Sequence, residues 1–296
     1  MIKRTVGRPT SEATVVIRVP LALREIVDEM VEHWRDRSAI ARANAEVFSG
    51  HPRQRNTDAP KKGVKILKPA DALETLRSLR REHIFADVLI LDPWYEPAAG
   101  CTVSDHRDYY RQLIREGSKI SASIFCWGTA AMLGPLVDSA PEEFIFRDWI
   151  VWSHANTPSV VRTNWRSTHQ VCLHFSRPDA PSFPERFFSP KQIKLLEKSK
   201  LRFWPNPGNV VEAGLLVGAI GNTERVGHPA QKPIKVISAL LKMACPAGGL
   251  VVDPFSGSGT TGVAAMQLGF RAILCDISPR FTAMARKRIR LLKASI

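Results

Sequence analysis

The segment from Leu250 to Thr261 joins a short apolar run to a loop of small residues. Residues 250–252 are apolar and typical of a buried strand, residues 256–259 read Ser-Gly-Ser-Gly, and residues 261–268 favour a helix. A strand that ends in a glycine loop and opens a helix directs free backbone N–H groups and a positive helix end to one point. We therefore expect this point to bind a ligand that carries a carboxylate or a phosphate.

The next strand indicates what kind of ligand this is. Residues 271–275 are predicted to form a strand with Asp276 at its end, fewer than twenty residues after Gly257 and Gly259. In dinucleotide-binding folds an acidic side chain in this place accepts hydrogen bonds from the ribose hydroxyls. The pattern predicts a nucleoside with a charged tail, although the glycines alone would equally suit a tight turn.

Two further motifs give the segment a context. HPAQKP occupies residues 228–233, and Asp-Pro-Trp-Tyr occupies residues 92–95 after the predicted strand 87–91. With the loop DPFSGSGTT, these motifs resemble the amino-methylating DNA methyltransferases, adenine-N6 or cytosine-N4 specific. The order matches their permuted (beta-type) branch, in which the catalytic motif precedes the S-adenosyl-L-methionine (AdoMet) loop. The resemblance covers residues 64–296.

The resemblance implies an α/β fold of the Rossmann-like, AdoMet-dependent methyltransferase type. Its sheet is circularly permuted and mostly parallel, with helices on both faces. One strand is missing after Asp276, and residues 64–67 are predicted to fill that slot from the N-terminal side. Asp71 would then lie near the adenine of AdoMet, with a helix N-cap as the alternative.

The resemblance assigns catalysis to the tetrapeptide Asp92, Pro93, Trp94 and Tyr95. The Asp92 carboxylate and the Pro93 carbonyl would accept the two hydrogens of an exocyclic amine and stabilise the charge that develops on it. Tyr95 would stack on a base flipped out of double-stranded DNA. Trp94 replaces the usual second proline, which frees one φ angle. Either aromatic ring can therefore be the stacking face.

The cofactor is assigned by the same resemblance to Asp71, Lys232, Asp253, Phe255, Gly257, Gly259, Thr260 and Asp276. The N–H groups of residues 257–260, together with Lys232, would meet the methionine carboxylate. Asp253 would bind the amino group, Phe255 would line the pocket, and Asp276 would bind the ribose. Lys232 is alternatively a solvated charge in a motif whose main purpose is to start a helix at Pro233.

Composition fits a partner that is a polyanion. The chain has 42 Lys and Arg against 28 Asp and Glu, which gives a formal net charge of +14. The five cysteines are scattered without a CxxC pair, which predicts a reducing compartment and no zinc site. Without a long apolar run, we expect a cytoplasmic protein that makes no membrane contact.

We expect residues 1–60 to be a basic appendage and linker and residues 61–296 to be the methyltransferase domain that the resemblance implies. Residues 14–19 predict a strand and residues 21–34 an amphipathic helix, as in half of a ribbon-helix-helix DNA-binding unit. Such a unit would need a second helix, for which residues 38–48 are the candidate, and a homodimer. A solvated appendage explains the same residues.

Two other regions are candidates for DNA contact. Arg162 and Arg166, after a predicted strand, suit phosphate contacts. The Pro-rich, basic residues 176–227 match the target-recognition insert of this branch. The aromatic residues of the insert would stack on bases or pack beneath a loop. They are Phe187, Phe188, Phe203 and Trp204.

The sequence therefore favours a DNA methyltransferase, and Asp rather than Ser at position 92 favours adenine N6. Four alternatives remain open: a cytosine-N4 enzyme, a methyltransferase acting on RNA or protein, a DNA-binding regulator that no longer turns over, and a nicotinamide dehydrogenase.

Overall fold

The structure, a computed structural model, describes residues 60, 63–96, 100–157, 165–216 and 224–294, and the backbone of residues 3–7 and 14–18. The chain divides into two units, residues 1–52 and 53–296. In the first unit, β1 (Lys3–Gly7) pairs antiparallel with β2 (Thr14–Arg18), so the strand predicted at residues 14–19 is confirmed. The helices predicted at residues 21–34 and 38–48 lie outside the described residues.

The second unit is built on a sheet that has eight strands among the described residues. They are β3 (Val64–Ile66), β4 (Ala86–Leu91), β5 (Ser121–Gly128), β6 (Ile145–Ser153), β7 (His169–Ser176), β8 (Val210–Glu212), β9 (Leu250–Asp253) and β10 (Arg271–Leu274). Their order is β3-β10-β9-β4-β5-β7-β6-β8. All neighbours are parallel except β7, which runs antiparallel to β5 and β6. The predicted mostly parallel sheet is confirmed.

Seven α-helices connect these strands in the described part of the chain. They are α1 (Ala72–Arg81), α2 (Val103–Ser118), α3 (Ala130–Leu133), α4 (Pro190–Glu197), α5 (Ile234–Ala244), α6 (Thr260–Gln267) and α7 (Pro279–Ala294). Short 3₁₀ turns follow at Gly134–Ser139 and Pro184–Phe187. Local sequence sets where α2 starts, because Thr102 and Asp105 form a capping box there. No helix in the described ranges is long and apolar enough to cross a membrane.

Each face of the sheet carries its own core, because successive side chains of a strand point to opposite sides. In β4, Leu89 and Leu91 pack with the buried residues of α1 and α2. Val88 and Ile90 pack on the other face with those of α5 and α6. Helices therefore cover both faces, as predicted.

The permutation is visible at one edge of the sheet. β3 pairs in parallel with β10, with Val64 opposite Ala272 and Ile66 opposite Leu274. The strand expected after Asp276 is thus supplied from the N-terminal side, which confirms the prediction for residues 64–67.

The segment 176–227 contains more regular structure than its sequence indicates. It holds α4, and β8 adds to the main sheet as a parallel neighbour of β6. β8 has only three residues and alternates exposed and half-buried positions, so its sequence is too short to show a period. This segment therefore contributes to the sheet as well as forming a loop.

Gly249, just before β9, tests how tightly the sheet is packed at this point. An added Cβ would lie 2.7 Å from Cys245 Sγ, 2.8 Å from the Pro246 carbonyl oxygen and 3.0 Å from Asp87 Oδ2. We expect Gly249→Ala to lower the free energy of unfolding by about 1–3 kcal/mol, measured by urea denaturation. Gly208→Ala is the matched control, because this glycine is exposed and no atom outside its chain neighbours lies within 4 Å of its Cβ position. The control should be neutral or slightly stabilising, and an equal loss in both variants would contradict the packing argument.

Candidate active site

The two strand ends that carry the sequence motifs lie side by side. β4 pairs in parallel with β9, with Val88 opposite Val251 and Leu89 opposite Val252. Asp92, which follows β4, and the glycine loop, which follows β9, therefore open on the same edge of the sheet and line one pocket. The pocket is lined by Ile90, Asp92, His228, Ala230, Gln231, Lys232, Ile237, Asp253, Phe255, Ser256, Gly257, Ser258, Thr260 and Thr261.

The loop needs its glycines for conformation and for space. Gly257 and Gly259 have φ angles of +48° and +79°. A Cβ on Gly257 would lie 2.9 Å from His228 Nε2, and one on Gly259 would lie 3.1 Å from the Ala285 Cα. Any side chain at these two positions would collide with its neighbours. Only glycine lets the loop backbone lie this close to surrounding atoms, and the same holds for a ligand on its open side.

The amide hydrogens of the loop are used differently from the prediction. Gly257 N donates to Asp276 Oδ2 at 2.8 Å, and Gly259 N donates to the Ser256 carbonyl at 2.7 Å. The amides of these two glycines are thus bound within the protein and are not free for a ligand. Ser256, which is not among the predicted cofactor residues, has a buried hydroxyl without a partner among the described residues. A buried hydroxyl at a pocket wall is available to a ligand.

Two carboxyl groups support the loop from behind. Asp276 accepts hydrogen bonds from the amides of Gly257 and Ser278, both at 2.8 Å. Asp253 accepts from the Phe255 amide at 2.9 Å and from the Thr261 hydroxyl at 2.5 Å. Burial raises the pKa of Asp253 to about 7, although both hydrogen bonds oppose the shift. Asp253 therefore keeps its proton to a higher pH than an exposed carboxyl group does.

The tetrapeptide and HPAQKP meet in a buried ion pair. Lys232 Nζ lies 2.7 Å from both carboxylate oxygens of Asp92 and donates to the Tyr95 hydroxyl at 2.6 Å. The side chain of Lys232 is only 6% exposed, so it is not the solvated charge considered as an alternative. The resemblance assigns Lys232 to the cofactor, whereas the structure places its ammonium against the Asp92 carboxylate.

Aromatic rings surround this ammonium group. The Nζ atom lies 5.1 Å from the ring centres of Tyr95 and Trp127 and 6.0 Å from that of Trp152. The Tyr95 hydroxyl is also 2.9 Å from Asp92 Oδ1 and 3.0 Å from Gln170 Oε1. Trp127, Trp152 and Gln170 come from three other strands, and no local motif in the sequence indicates them.

Trp94 points away from this cluster. Its side chain is 69% exposed, while its carbonyl oxygen accepts hydrogen bonds from His106 Nε2 at 2.7 Å and from the Tyr110 hydroxyl at 3.3 Å. These two donors on α2 hold the backbone at the position where the family has a second proline. Tyr95 thus contacts Asp92 and Lys232, two residues that line the pocket, and its role as the stacking face stays a prediction.

Asp71 caps a helix. Its Oδ1 accepts from the amides of Leu73 and Glu74 at 2.9 and 3.2 Å, so the N-cap interpretation is confirmed. The contact of Asp71 with adenine stays a prediction.

HPAQKP is fixed to the preceding turn. Gln231 accepts from the Val226 amide at 3.0 Å and donates to the Glu224 carbonyl at 2.8 Å. The Glu224 carboxylate in turn accepts from the Ile234 amide, the first residue of α5, at 2.6 Å. The motif therefore also starts a helix, as the sequence suggested.

Most of the residues predicted to contact DNA lie within the described ranges. Arg166 is exposed and donates to the Thr157 carbonyl at 3.4 Å, whereas Arg162 lies outside the described residues. Phe188 is buried, and its ring packs edge-on against that of Trp204 with 5.3 Å between ring centres. For these two residues the structure favours packing beneath a loop over stacking on bases. Phe203 is 74% exposed and remains a candidate for stacking.

The fold and the pocket define an open, mostly parallel α/β protein of the Rossmann-like methyltransferase type. The chain belongs to the DNA methylase family N6_N4_Mtase, whose match covers residues 110–287. The matched residues include HPAQKP and the glycine loop and begin after the tetrapeptide.

Individual relatives agree with this family. The chain is 25% identical over 165 residues, 48% of its length, to the type II methyltransferase M1.MboII of Moraxella bovis. Two solved structures share the fold: an M1.HpyAVI complex with SAM (TM-score 0.59, 20% identity, 76% of this chain and 98% of that one) and the cytosine-N4-specific PvuII DNA methyltransferase (TM-score 0.56, 16% identity, 78% and 89%). The chain spans less than two thirds of the first curated relatives that it matches, 61% for M1.MboII.

The three tyrosines of the chain offer a test of the site's burial. Burial raises the pKa of Tyr95 and Tyr110 far above the usual value and that of Tyr109 to about 12. Native protein should therefore show almost no tyrosinate absorbance at 295 nm at pH 10. In guanidinium chloride the same three residues should be about half ionised at this pH. A tyrosine that titrates near pH 10 in the native protein would contradict the described packing.

Proposed function

We propose that the chain is an AdoMet-dependent DNA methyltransferase that methylates the exocyclic amine of a flipped-out base, adenine N6 in preference to cytosine N4. The observation that carries the proposal is the single pocket shared by Asp92 and the glycine loop. A methyl donor and an acceptor amine must come into direct contact, and one pocket with both motifs in its wall meets that requirement.

The residues of the pocket fit AdoMet. The unpartnered Ser256 hydroxyl, the side-chain-free surface of Gly257 and the ammonium of Lys232 suit its polar methionine portion. Asp276 would bind the ribose with the remaining lone pairs of its two oxygens, and Asp253 would bind the amino group. Phe255 would line the pocket, with Asp71 near the adenine.

When bound, AdoMet supplies an electrophilic methyl group on a sulfonium. Asp92 would accept one hydrogen of the target amine and the Pro93 carbonyl the other, which turns the nitrogen lone pair toward the methyl group. The negative charge of Asp92 would stabilise the positive charge that grows on the nitrogen. Tyr95, whose hydroxyl is fixed by Asp92 and Lys232, would offer its ring to the base.

The preference for adenine rests on Asp at position 92, where relatives that act on cytosine more often have Ser. The fold does not decide this point, because the PvuII enzyme shares it and is named as cytosine-N4-specific. Double-stranded DNA as the partner is supported by the family and by the net charge of +14. Arg162 and Arg166 are the proposed phosphate contacts.

Transfer of labelled methyl groups tests substrate and base together. The full chain is incubated with labelled AdoMet and DNA, RNA or protein, and the DNA is digested to nucleosides for mass spectrometry. The expected product is N6-methyldeoxyadenosine. N4-methylcytosine would correct the base, and label only in RNA or protein, or in none of the three, would overturn the proposal.

Replacement of the carboxylate tests the catalytic assignment. Asp92→Asn removes the charge that stabilises the developing cation and should lower kcat about a hundredfold or more. Asp108→Asn is the control, because this carboxylate is exposed on α2 and pairs only with Arg111 among the interactions described here. The control should retain wild-type kcat, and equal rates for Asp92→Asn and wild type would remove Asp92 from the mechanism.

The raised pKa of Asp253 predicts a pH dependence of AdoMet binding. Below about pH 7 the free protein holds a proton on Asp253, and a cationic ligand favours the ionised form, so binding displaces that proton. Affinity should thus rise between pH 5.5 and 7, by up to about tenfold per unit, when measured by calorimetry. Asp253→Asn should flatten the curve, and an unchanged slope would assign the proton to another group.

A further inference from the structure

The Lys232–Asp92 pair raises a conflict for the proposed chemistry. Both oxygens of Asp92 are 2.7 Å from the Lys232 ammonium, which takes one lone pair on each oxygen and pairs the negative charge that would stabilise the target amine. Asp92 is 19% exposed and Lys232 is 6% exposed, so the pair is well shielded from water. Charge-assisted hydrogen bonds in such surroundings are strong. An amine that competes for Asp92 would have to displace them.

The charges of the pocket indicate a second partner for Lys232. Among the described residues that line it, Lys232 is the single Lys or Arg, against the carboxyl groups of Asp92 and Asp253. Burial lowers the pKa of His228, which therefore supplies no dependable positive charge. A ligand carboxylate entering this pocket without a cation would be costly to bury. Lys232 is the group that can neutralise it.

The loop on the opposite wall has fewer free amide donors than its glycine pattern predicts. Gly257 and Gly259 use their amide hydrogens within the protein. Arg288 lies behind the loop, where its guanidinium donates to the Thr260 hydroxyl at 3.0 Å. A ligand carboxylate near residues 256–260 would therefore rely more on Lys232 than it would if these two amides were free.

We propose that Lys232 exchanges partners between Asp92 and the carboxylate of the bound cofactor, and that this exchange frees Asp92 to accept the target amine. The inference deepens the proposed function and rests on it. Lys232 is then a positioning residue that couples the two halves of the pocket. Gln231 fixes the adjacent backbone to the turn at Glu224 and Val226, so the exchange would proceed by rotation of the long Lys232 side chain.

The coupling has a consequence for binding order. As long as Lys232 pairs with Asp92, the amine of a flipped base meets a carboxylate whose charge is already paired. Once Lys232 pairs with a ligand carboxylate, Asp92 is available. A carboxylate-bearing cofactor should therefore promote acceptance of the base, and a cofactor analogue without the carboxylate should not.

Two ligands that differ by one carboxylate test the exchange without catalysis. The probes are S-adenosylhomocysteine and its decarboxylated analogue, whose neutral thioether avoids direct attraction between a sulfonium and Asp92. Their Kd values are measured by calorimetry for wild type, Asp92→Asn, Lys232→Met and the double variant. Lys235→Met, an exposed lysine on α5, and Asp108→Asn are the controls.

Exchange predicts a specific pattern. Asp92→Asn removes the competing partner and should tighten S-adenosylhomocysteine binding about tenfold, with no comparable gain for the decarboxylated analogue. Lys232→Met should weaken binding of S-adenosylhomocysteine but not of the decarboxylated analogue. Adding Asp92→Asn to Lys232→Met should then give no further gain in affinity. The double variant also removes both buried charges, so it should fold even if the unpaired carboxylate of Lys232→Met destabilises that variant.

The outcomes separate this inference from the proposed function. If wild type binds both probes but Asp92→Asn does not favour S-adenosylhomocysteine over the analogue, the exchange is wrong and the methyltransferase proposal stands. A purely structural Lys232 would change both ligands alike, which also rejects the exchange. If wild type binds neither probe, the proposed function itself fails.

Discussion

The parallel pairing of β4 with β9 is the constraint on which the site depends. It brings residues more than 150 positions apart to the same edge of the sheet, so that Asp92 and the glycine loop line one pocket. In open α/β sheets, ligands bind beyond the carboxyl ends of the strands, where loops and helix N-termini converge. The two cores on either side of the sheet keep this register, because a shift by one residue would reverse every side chain of β4.

The ion pair between Lys232 and Asp92 is the second organising interaction. A buried pair of charges contributes little net stability, but it leaves a strongly unfavourable charge when one partner is removed. Here it joins HPAQKP to the tetrapeptide, and the rings of Tyr95, Trp127 and Trp152 surround it. The pair thus fixes the Asp92 carboxylate and makes its availability depend on what else Lys232 can bind.

The departure of this chain from the family tetrapeptide also has a structural counterpart. A second proline would limit the backbone beside Asp92 through its own ring. With Trp94 in that place, hydrogen bonds from His106 and Tyr110 to the Trp94 carbonyl restrain the same segment from α2. The backbone beside Asp92 is therefore held by tertiary contacts in place of the local stiffness that a second proline would give.

The sequence by itself determined the α/β class, the strands at both motifs, the parallel addition of residues 64–66 and the positions of Asp92, Asp253 and Asp276 at strand ends. These features follow from apolar runs, glycines and motif order, which are local or nearly so. Only the tertiary structure decided that Lys232 pairs with Asp92, that Gly257 donates its amide to Asp276, and that Ser256 and Trp127 belong to the site. For Asp71 it selected the helix cap, an alternative that the sequence had left open. The physical reason is that a buried polar atom takes whichever partner the packing brings within 3 Å. The partners of Lys232 come from the ends or interiors of distant strands, which no local pattern encodes.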